Sequence, residues 1–229
     1  MTRSPALVFD LDGTLVDTAP DILGALNAVL VAEGHTAVTR ADLGHLVGHG
    51  VPTMLTAASS RTGSQFAASR EAALVDAFVA HYRAHLADES RPFPGVVATL
   101  EKLKAGGARL GVLTNKPQEL AEPLLDALDL TRFFAAVHGA GRFSWVKPDA
   151  RVFRHVIDDL GGAGTGAIMI GDSTTDVLTA RAAGVPAILV SYGYSPNPVE
   201  TLGAAAVTGD FAELPNLVAR ILDARATAR

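Results

Sequence analysis

Two aspartates close an apolar run near the start of the chain: Asp10 and Asp12 in "LVFDLDGTLVDTAPD", residues 7–21. Residues two apart in an extended segment point to the same side. Carboxylates placed that way repel each other and lose solvation on burial, so folding needs a compensating charge. A hard divalent cation supplies it, and magnesium takes oxygen ligands from one or two carboxylates, waters and a substrate phosphate. Asp172 in "GDSTTD" offers a further carboxylate, and Asp176 follows one helical turn later, where it can face the same place. With Lys147 in "WVKPD", the set suits phosphoryl transfer. One aspartate attacks phosphorus and forms an aspartyl-phosphate. The cation and the lysine neutralise the transferring group. A second carboxyl protonates the leaving oxygen and then activates water. Gly13 lets the backbone approach the phosphate, and Thr14 or Thr114 offers a hydroxyl.

Each piece has a plainer reading. A lone D-x-D is often a turn. Thr114-Asn115 can end a strand or cap a helix, and a lysine before proline is commonly solvated. "GDSTTD" can be a helix start with Asp172 as cap and Asp176 as an exposed first-turn acid. The weight lies in their joint occurrence, because all of them fall at expected strand ends or the adjoining loops, where open parallel sheets bind ligands.

The elements that would position these residues are short apolar runs at 6–9, 109–114, 135–139, 167–171 and 186–191. They lack strict alternation, which suits strands buried on both faces. Helical patterns at 97–107, 149–162 and 175–185 lie between them and end in or near glycine. Strands alternating with helices predict an α/β fold with a Rossmann-like parallel-sheet core. Residues 18–90 break the rhythm with helical patterns alone. They start at a possible capping box from Thr18 to Asp21, with Leu23, Leu26 and Leu30 in one stripe. Two short helices broken at Gly48-His49-Gly50 follow, then an amphipathic helix over 69–89 and the stiff connector "SRPFPGV". The expected organisation is a core of 1–17 and 91–229, with a helical cap of 18–90 inserted after the first strand and acting as a lid.

Composition narrows the function classes. The 229 residues are 48% apolar and 19% charged, which supports a sizeable core and argues against disorder. The net charge of −5 and the lack of a basic stretch make nucleic acid and anionic membranes poor partners. The chain has no cysteine, so thiol catalysis and disulfides are out and a cytoplasmic location is the simple expectation. No signal-peptide pattern or membrane-spanning run is evident. A small phosphorylated substrate is the expected partner, with the chain acting as a monomer or homodimer.

The order D-x-D-G-T, Thr-Asn, Lys-Pro and G-D-x-x-x-D resembles the haloacid dehalogenase superfamily of phosphotransferases over nearly the whole chain. The resemblance implies Asp10 as nucleophile, Asp12 as general acid/base, and Thr114 with Asn115 on the phosphoryl group. It implies Lys147 steadying both nucleophile and phosphoryl group. Mg2+ would be held by Asp10, the backbone carbonyl of Asp12, and Asp172, with Asp176 orienting metal waters or Lys147. It also implies a small α-helical cap. "DLDGTLVDTAPDI", "VGHGVPTML", "LGVLTNKP" and "AGVPAILVSYGYSP" resemble the phosphoglycolate phosphatases within it. Three departures bear on the substrate. His49 stands where asparagine is expected, "GRFSWVKPD" lacks a second lysine, and Arg61 is the nearest arginine to the Gly48–Gly50 loop.

The expected activity is therefore a magnesium-dependent phosphatase for a small phosphorylated acid, with 2-phosphoglycolate foremost. Other small phosphomonoesters and a β-phosphoglucomutase-type mutase share the catalytic pair. A receiver-type signalling module and a catalytically silent binding protein are the non-enzyme readings. The long insertion opposes the first and the intact residue set opposes the second. A true dehalogenase needs neither the metal cluster nor Asp12. Gly48, His49, Gly50 and Lys116 are the candidate substrate contacts. Against them stand a simple helix break for the loop and a solvated helix-start lysine for Lys116. Trp145 packs over the entrance or locally, with local packing preferred, and His81 and His85 read as surface residues.

Overall fold

The computed structural model describes residues 4–48, 50–62, 65–164 and 166–227. Six strands form one parallel sheet: β1 (Ala6–Phe9), β4 (Arg109–Pro117), β5 (Ala136–Ala140), β6 (Ala167–Gly171), β7 (Ala187–Val190) and β8 (Ala206–Thr208), in the spatial order β5-β4-β1-β6-β7-β8. Their apolar residues divide by alternation. Leu7, Phe9, Leu110, Val112, Ile168 and Ile170 enter one cluster with α4 (Val96–Ala105), α5 (Gln118–Ala127) and α8 (Leu214–Thr227). Ala6, Val8 and Met169 enter another with α6 (Ala150–Asp159) and α7 (Thr174–Ala183). Both faces are covered, which is why the strand sequences read as continuous apolar runs.

The chain leaves β1 to one side for β4 and β5, then returns to the other side for β6 onward. The strand order therefore reverses at β1, and a crevice opens at the carboxyl ends of β4, β1 and β6.

The helices between β1 and α4 build a cluster of their own. They are α1 (Ala19–Ala32), α2 (Val51–Arg61) and α3 (Glu71–Ala84), with a 3-10 helix at Arg40–His45. Leu26, Leu30, Leu55, Leu74, Phe78 and Tyr82 fill it, and Leu120 of α5 joins from the sheet side. The buried stripe of α1 runs through Ile22, Leu26, Val29 and Leu30, while Leu23 sits at its edge. Two short strands, β2 (Val16–Asp17) and β3 (Arg91–Pro92), pair antiparallel where the excursion begins and ends. They are too short to leave a periodic signal. So is β8, and α5 likewise forms outside the expected elements.

The capping box expected at Thr18–Asp21 does not form. Thr18 makes no side-chain cap, and its buried hydroxyl has no partner among the described residues. The Tyr194 hydroxyl accepts from the backbone N–H groups of Thr18 and Ala19 at 2.8 and 2.9 Å instead. Asp21 turns to the far end of the excursion, accepting from Ser90 N–H at 2.8 Å and Ser90 Oγ at 2.6 Å. A long-range partner thus replaces the local one at both residues.

Candidate active site

Asp10 and Asp12 leave β1 together but point to different partners. Asp10 Oδ1 accepts from Leu11 N–H at 2.7 Å and pairs with Lys147 Nζ at 2.8 Å. No donor among the described residues reaches its Oδ2. Asp12 Oδ1 accepts from Lys116 Nζ at 2.9 Å. Gly13 follows at φ +80°, and a Cβ there would lie 2.6 Å from Asp172 Oδ2. The glycine is thus required twice, by its left-handed backbone and by the close approach of a carboxylate.

Asp172 follows β6. Its Oδ2 accepts from Tyr194 N–H at 2.6 Å and its Oδ1 from Thr14 Oγ1 at 3.2 Å. Ser173, not Asp172, caps α7, in a capping box closed by Asp176. Asp176 is fully buried. Its Oδ2 accepts from Asp172 N–H, Ser173 N–H and Ser173 Oγ, and its Oδ1 from Lys147 Nζ at 2.8 Å. Both oxygens are thereby occupied by the protein.

Oxygens of Asp10, Asp172 and Asp176 lie within 4.8 Å of one another, all buried. Burial pushes the Asp10 carboxyl up to about 6, helped by the charges of Asp176 and Asp12 and opposed by Lys147. Burial, then Asp176 and Asp10, hold Asp172 well above the usual carboxylate range. Three carboxylates facing one ammonium carry two uncompensated negative charges when ionised. An all-oxygen donor set with that excess fits a hard divalent cation. Asp10 and Asp172 have the freer oxygens for it, and Asp12 turns its carboxylate away toward Lys116.

A cavity of about 340 Å³ opens over these groups. Asp10, Asp12, Thr114, Asn115, Lys116 and Lys147 line its sheet side. Gly48, Gly50, Val51, Met54 and Tyr82 line the helical side. His49 lies outside the described residues. Thr114 presents its hydroxyl there while accepting from Lys116 N–H at 3.1 Å. Of the two hydroxyls expected to serve the phosphate, Thr14 is the one taken up elsewhere, on Asp172.

The side-chain amide of Asn115 is engaged away from the expected phosphoryl position. Its Nδ2 donates to the carbonyls of Gly48 and Lys147, both at 3.1 Å, and its Oδ1 accepts from Lys147 N–H at 2.9 Å. With both amide protons spent, it holds the Lys147 backbone and the Gly48 loop. Lys116 departs from the solvated reading. It is buried, and its ammonium donates to Asp12 and, at 2.8 Å, to the Tyr82 hydroxyl. Trp145 packs locally, stacked parallel to His155 with Arg151 over its ring. Arg61 pairs with Asp42 and does not line the cavity. His81 and His85 stand beside each other on α3 and at its end, and His85 bonds Asp88.

Sequence reasoning missed two residues at the site. Tyr82 falls at helical spacing with apolar residues in the 69–89 pattern, which by itself signals only packing. Tyr194 holds Asp172 through its N–H and the start of α1 through its hydroxyl, which also donates to Asp17 Oδ1 at 2.7 Å. Its only sequence signal was its place in "AGVPAILVSYGYSP".

A family model described as haloacid dehalogenase-like hydrolase matches residues 7–190. The chain is 46% identical to a phosphoglycolate phosphatase of Caulobacter vibrioides over 94% of its own length and 91% of the relative's. It is 43% identical to a phosphoglycolate phosphatase of Agrobacterium fabrum over 98% and 97%. The crystal structure of a predicted phosphoglycolate phosphatase from Haemophilus somnus 129PT superposes with a TM-score of 0.88 at 27% identity, covering 95% of this chain and 99% of that one. Among the described residues no helix is long and apolar enough to cross a membrane.

Proposed function

Because the chain belongs to the haloacid dehalogenase-like hydrolases, we propose that it cleaves the phosphate ester of a small acid, foremost 2-phosphoglycolate, through an aspartyl-phosphate on Asp10. The observation that carries this reading is one cavity lined by the Asp10–Lys147 pair, with Asp176 buried behind it, and by the Asp12–Lys116 pair.

The chemistry follows from which atoms are already held. Leu11 N–H and Lys147 fix Asp10 Oδ1, so Oδ2 is the oxygen free to attack phosphorus. The bond from phosphorus to the ester oxygen breaks as the Asp10–phosphorus bond forms. Asp12 gives its proton to the departing oxygen, which leaves as the alcohol. Water then attacks the phosphorus of the acyl phosphate, and its proton goes to Asp12. Inorganic phosphate departs and Asp10 returns as carboxylate. The third N–H of Lys147 and the Thr114 hydroxyl serve the phosphoryl oxygens. Asp10, Asp172 and the backbone carbonyl of Asp12 would hold magnesium, which supplies positive charge against the phosphoryl oxygens and the carboxylates when bound. Asp176 orients Lys147 and the start of α7.

The acid specificity rests on Lys116. Lys116 and Lys147 are the two cationic side chains among the described residues that line the cavity. An ammonium carries three donors. Lys116 spends two on Asp12 and Tyr82, which leaves one for a substrate carboxylate. Gly48 and Gly50 bring backbone close to the same space from the helical side. We divide the chain into a core of 1–17 and 91–229 and a cap of 18–90 hinged at β2 and β3. The lack of cysteine supports a reducing cytoplasmic setting.

The test is phosphate release from a panel of small phosphomonoesters with magnesium. 2-Phosphoglycolate is expected among the best substrates by kcat/KM, and Asp10→Asn is expected to abolish release with the fold intact. Turnover retained in Asp10→Asn would remove the nucleophile assignment. Poor turnover of 2-phosphoglycolate beside a better ester would overturn the substrate and leave the chemistry standing.

A further inference from the structure

Among the described residues, the cap side of the cavity carries one polar side chain, to which the mechanism above gives no role beyond partnering Lys116. Tyr82 lies on α3, is 1% exposed, and stacks on Phe78 with ring centroids 5.8 Å apart and planes 6° from parallel. Its hydroxyl accepts from Lys116 Nζ at 2.8 Å, and the same ammonium donates to Asp12 Oδ1 at 2.9 Å. A chain of two hydrogen bonds therefore runs from the cap to the acid/base carboxylate, across 34 and 104 residues of sequence.

We propose that Tyr82 is a positioning residue for the general acid/base: its hydroxyl fixes the Lys116 ammonium, and through it the direction in which Asp12 faces the leaving oxygen. The proposal rests on the reading of Asp12 as acid/base. Three observations carry it. A lysine head on a four-carbon stem has many rotamers, and a single partner does not select one of them. Two partners do, and here one of the two is Tyr82. The Tyr82 ring cannot yield, because Phe78 and the cap cluster pack it. Burial also pushes the Tyr82 hydroxyl up to about 12, so it stays a neutral phenol that can accept from an ammonium.

The consequence falls on proton transfer to the leaving group more than on substrate affinity. An acid displaced by a fraction of an ångström fails most where the leaving oxygen is a poor one. A good leaving group departs without the proton. Tyr82→Phe removes one oxygen and keeps the stacked ring, so its fold is expected to match the parent in thermal melting. The readout is kcat/KM for aryl phosphates lacking a carboxylate, which reports events up to release of the phenol. For Tyr82→Phe, kcat/KM on phenyl phosphate should fall about tenfold, while on 4-nitrophenyl phosphate it should change less than about twofold. In an Asp12→Asn background, Tyr82→Phe should add nothing further on phenyl phosphate.

Equal losses on both esters would reduce Tyr82 to a packing residue and overturn the proposal. So would parent-like rates on both. Loss confined to 2-phosphoglycolate, with aryl phosphates unaffected, would assign Tyr82 to carboxylate recognition and also overturn it. Failure of the underlying reading looks different: Asp12→Asn itself would then show no preference for the better leaving group.

Discussion

Two buried lysines flank the reacting position, and the structure holds them in different ways. Lys147 bridges Asp10 and Asp176, both on the sheet side. Lys116 bridges Asp12 on the sheet side and Tyr82 on the cap. Burial pulls each ammonium down, and the neighbouring groups outweigh it: Asp10 and Asp176 for Lys147, Asp12 and Tyr82 for Lys116. Both therefore stay charged, and each keeps one donor for a ligand. The difference lies in what must be in place. The Lys147 end rests on three short connections from strands of one sheet, so it can be rigid whatever the cap does. The Lys116 end is complete only when α3 lies against α5 and β4. The transferring group thus meets a fixed frame, and the departing group meets a composite one.

Breaking the fixed frame should cost most. Lys147→Met leaves Asp10 and Asp176 buried without their cation and takes a donor from the phosphoryl group. We expect kcat to fall on the order of 10³-fold or more on every ester tested, aryl or acidic. A loss below tenfold would show that the frame stands without its lysine. Chelation should be comparably severe, with EDTA stopping turnover and magnesium restoring it. A readout independent of turnover sharpens this. Magnesium should raise the Tm of the parent by mass action and leave Asp172→Asn unmoved. An equal rise in both proteins would place the ion elsewhere.

The composite end should break selectively. Lys116→Met removes both the support of Asp12 and the one free ammonium donor on that side. The ratio of kcat/KM for 2-phosphoglycolate to that for phenyl phosphate should fall at least about tenfold, the scale expected when a buried polar partner of a substrate is lost. If both esters lose equally, Lys116 acts on Asp12 alone and the acid substrate is recognised by other groups.

The same division explains what the sequence disclosed. Asp10, Lys147, Asp172 and Asp176 are legible because the fixed frame is written in local spacing. Strand ends, a glycine and a helix start force those side chains inward at known offsets. Thr114 is legible for the same reason. The composite end is legible in part: Asp12 and Lys116 stand at strand ends, but the contacts that join them to each other and to Tyr82 link segments far apart in the chain. Tyr82 sits at helical spacing among apolar residues, so periodicity assigns it to packing, and only its partner reveals a second use. The Asn115 side chain has a use that position alone does not reveal. It stands at the strand end where a phosphate ligand belongs, and its side-chain amide also ties the Lys147 backbone to Gly48. Strands of two and three residues such as β2, β3 and β8 carry too few positions for any period, and they form because neighbours offer an edge.

The smallest effect we expect tests whether the hinge transmits anything to the composite end. Asp21, in the first turn of α1, accepts from Glu89 N–H, Ser90 N–H and Ser90 Oγ, and so joins the two ends of the cap excursion. It lies outside the cavity lining and touches no group that reacts. Asp21→Ala strands the Ser90 donors in a buried place, a loss of about 1–3 kcal/mol, so Tm should drop by several degrees. If the cap must hold Tyr82 against Lys116, the loosened hinge should also lower kcat/KM a few-fold on phenyl phosphate and less on 4-nitrophenyl phosphate. A lower Tm with both esters equally affected would show that the hinge carries stability alone, and that the grip of α3 on Lys116 is set by packing within the closed cavity.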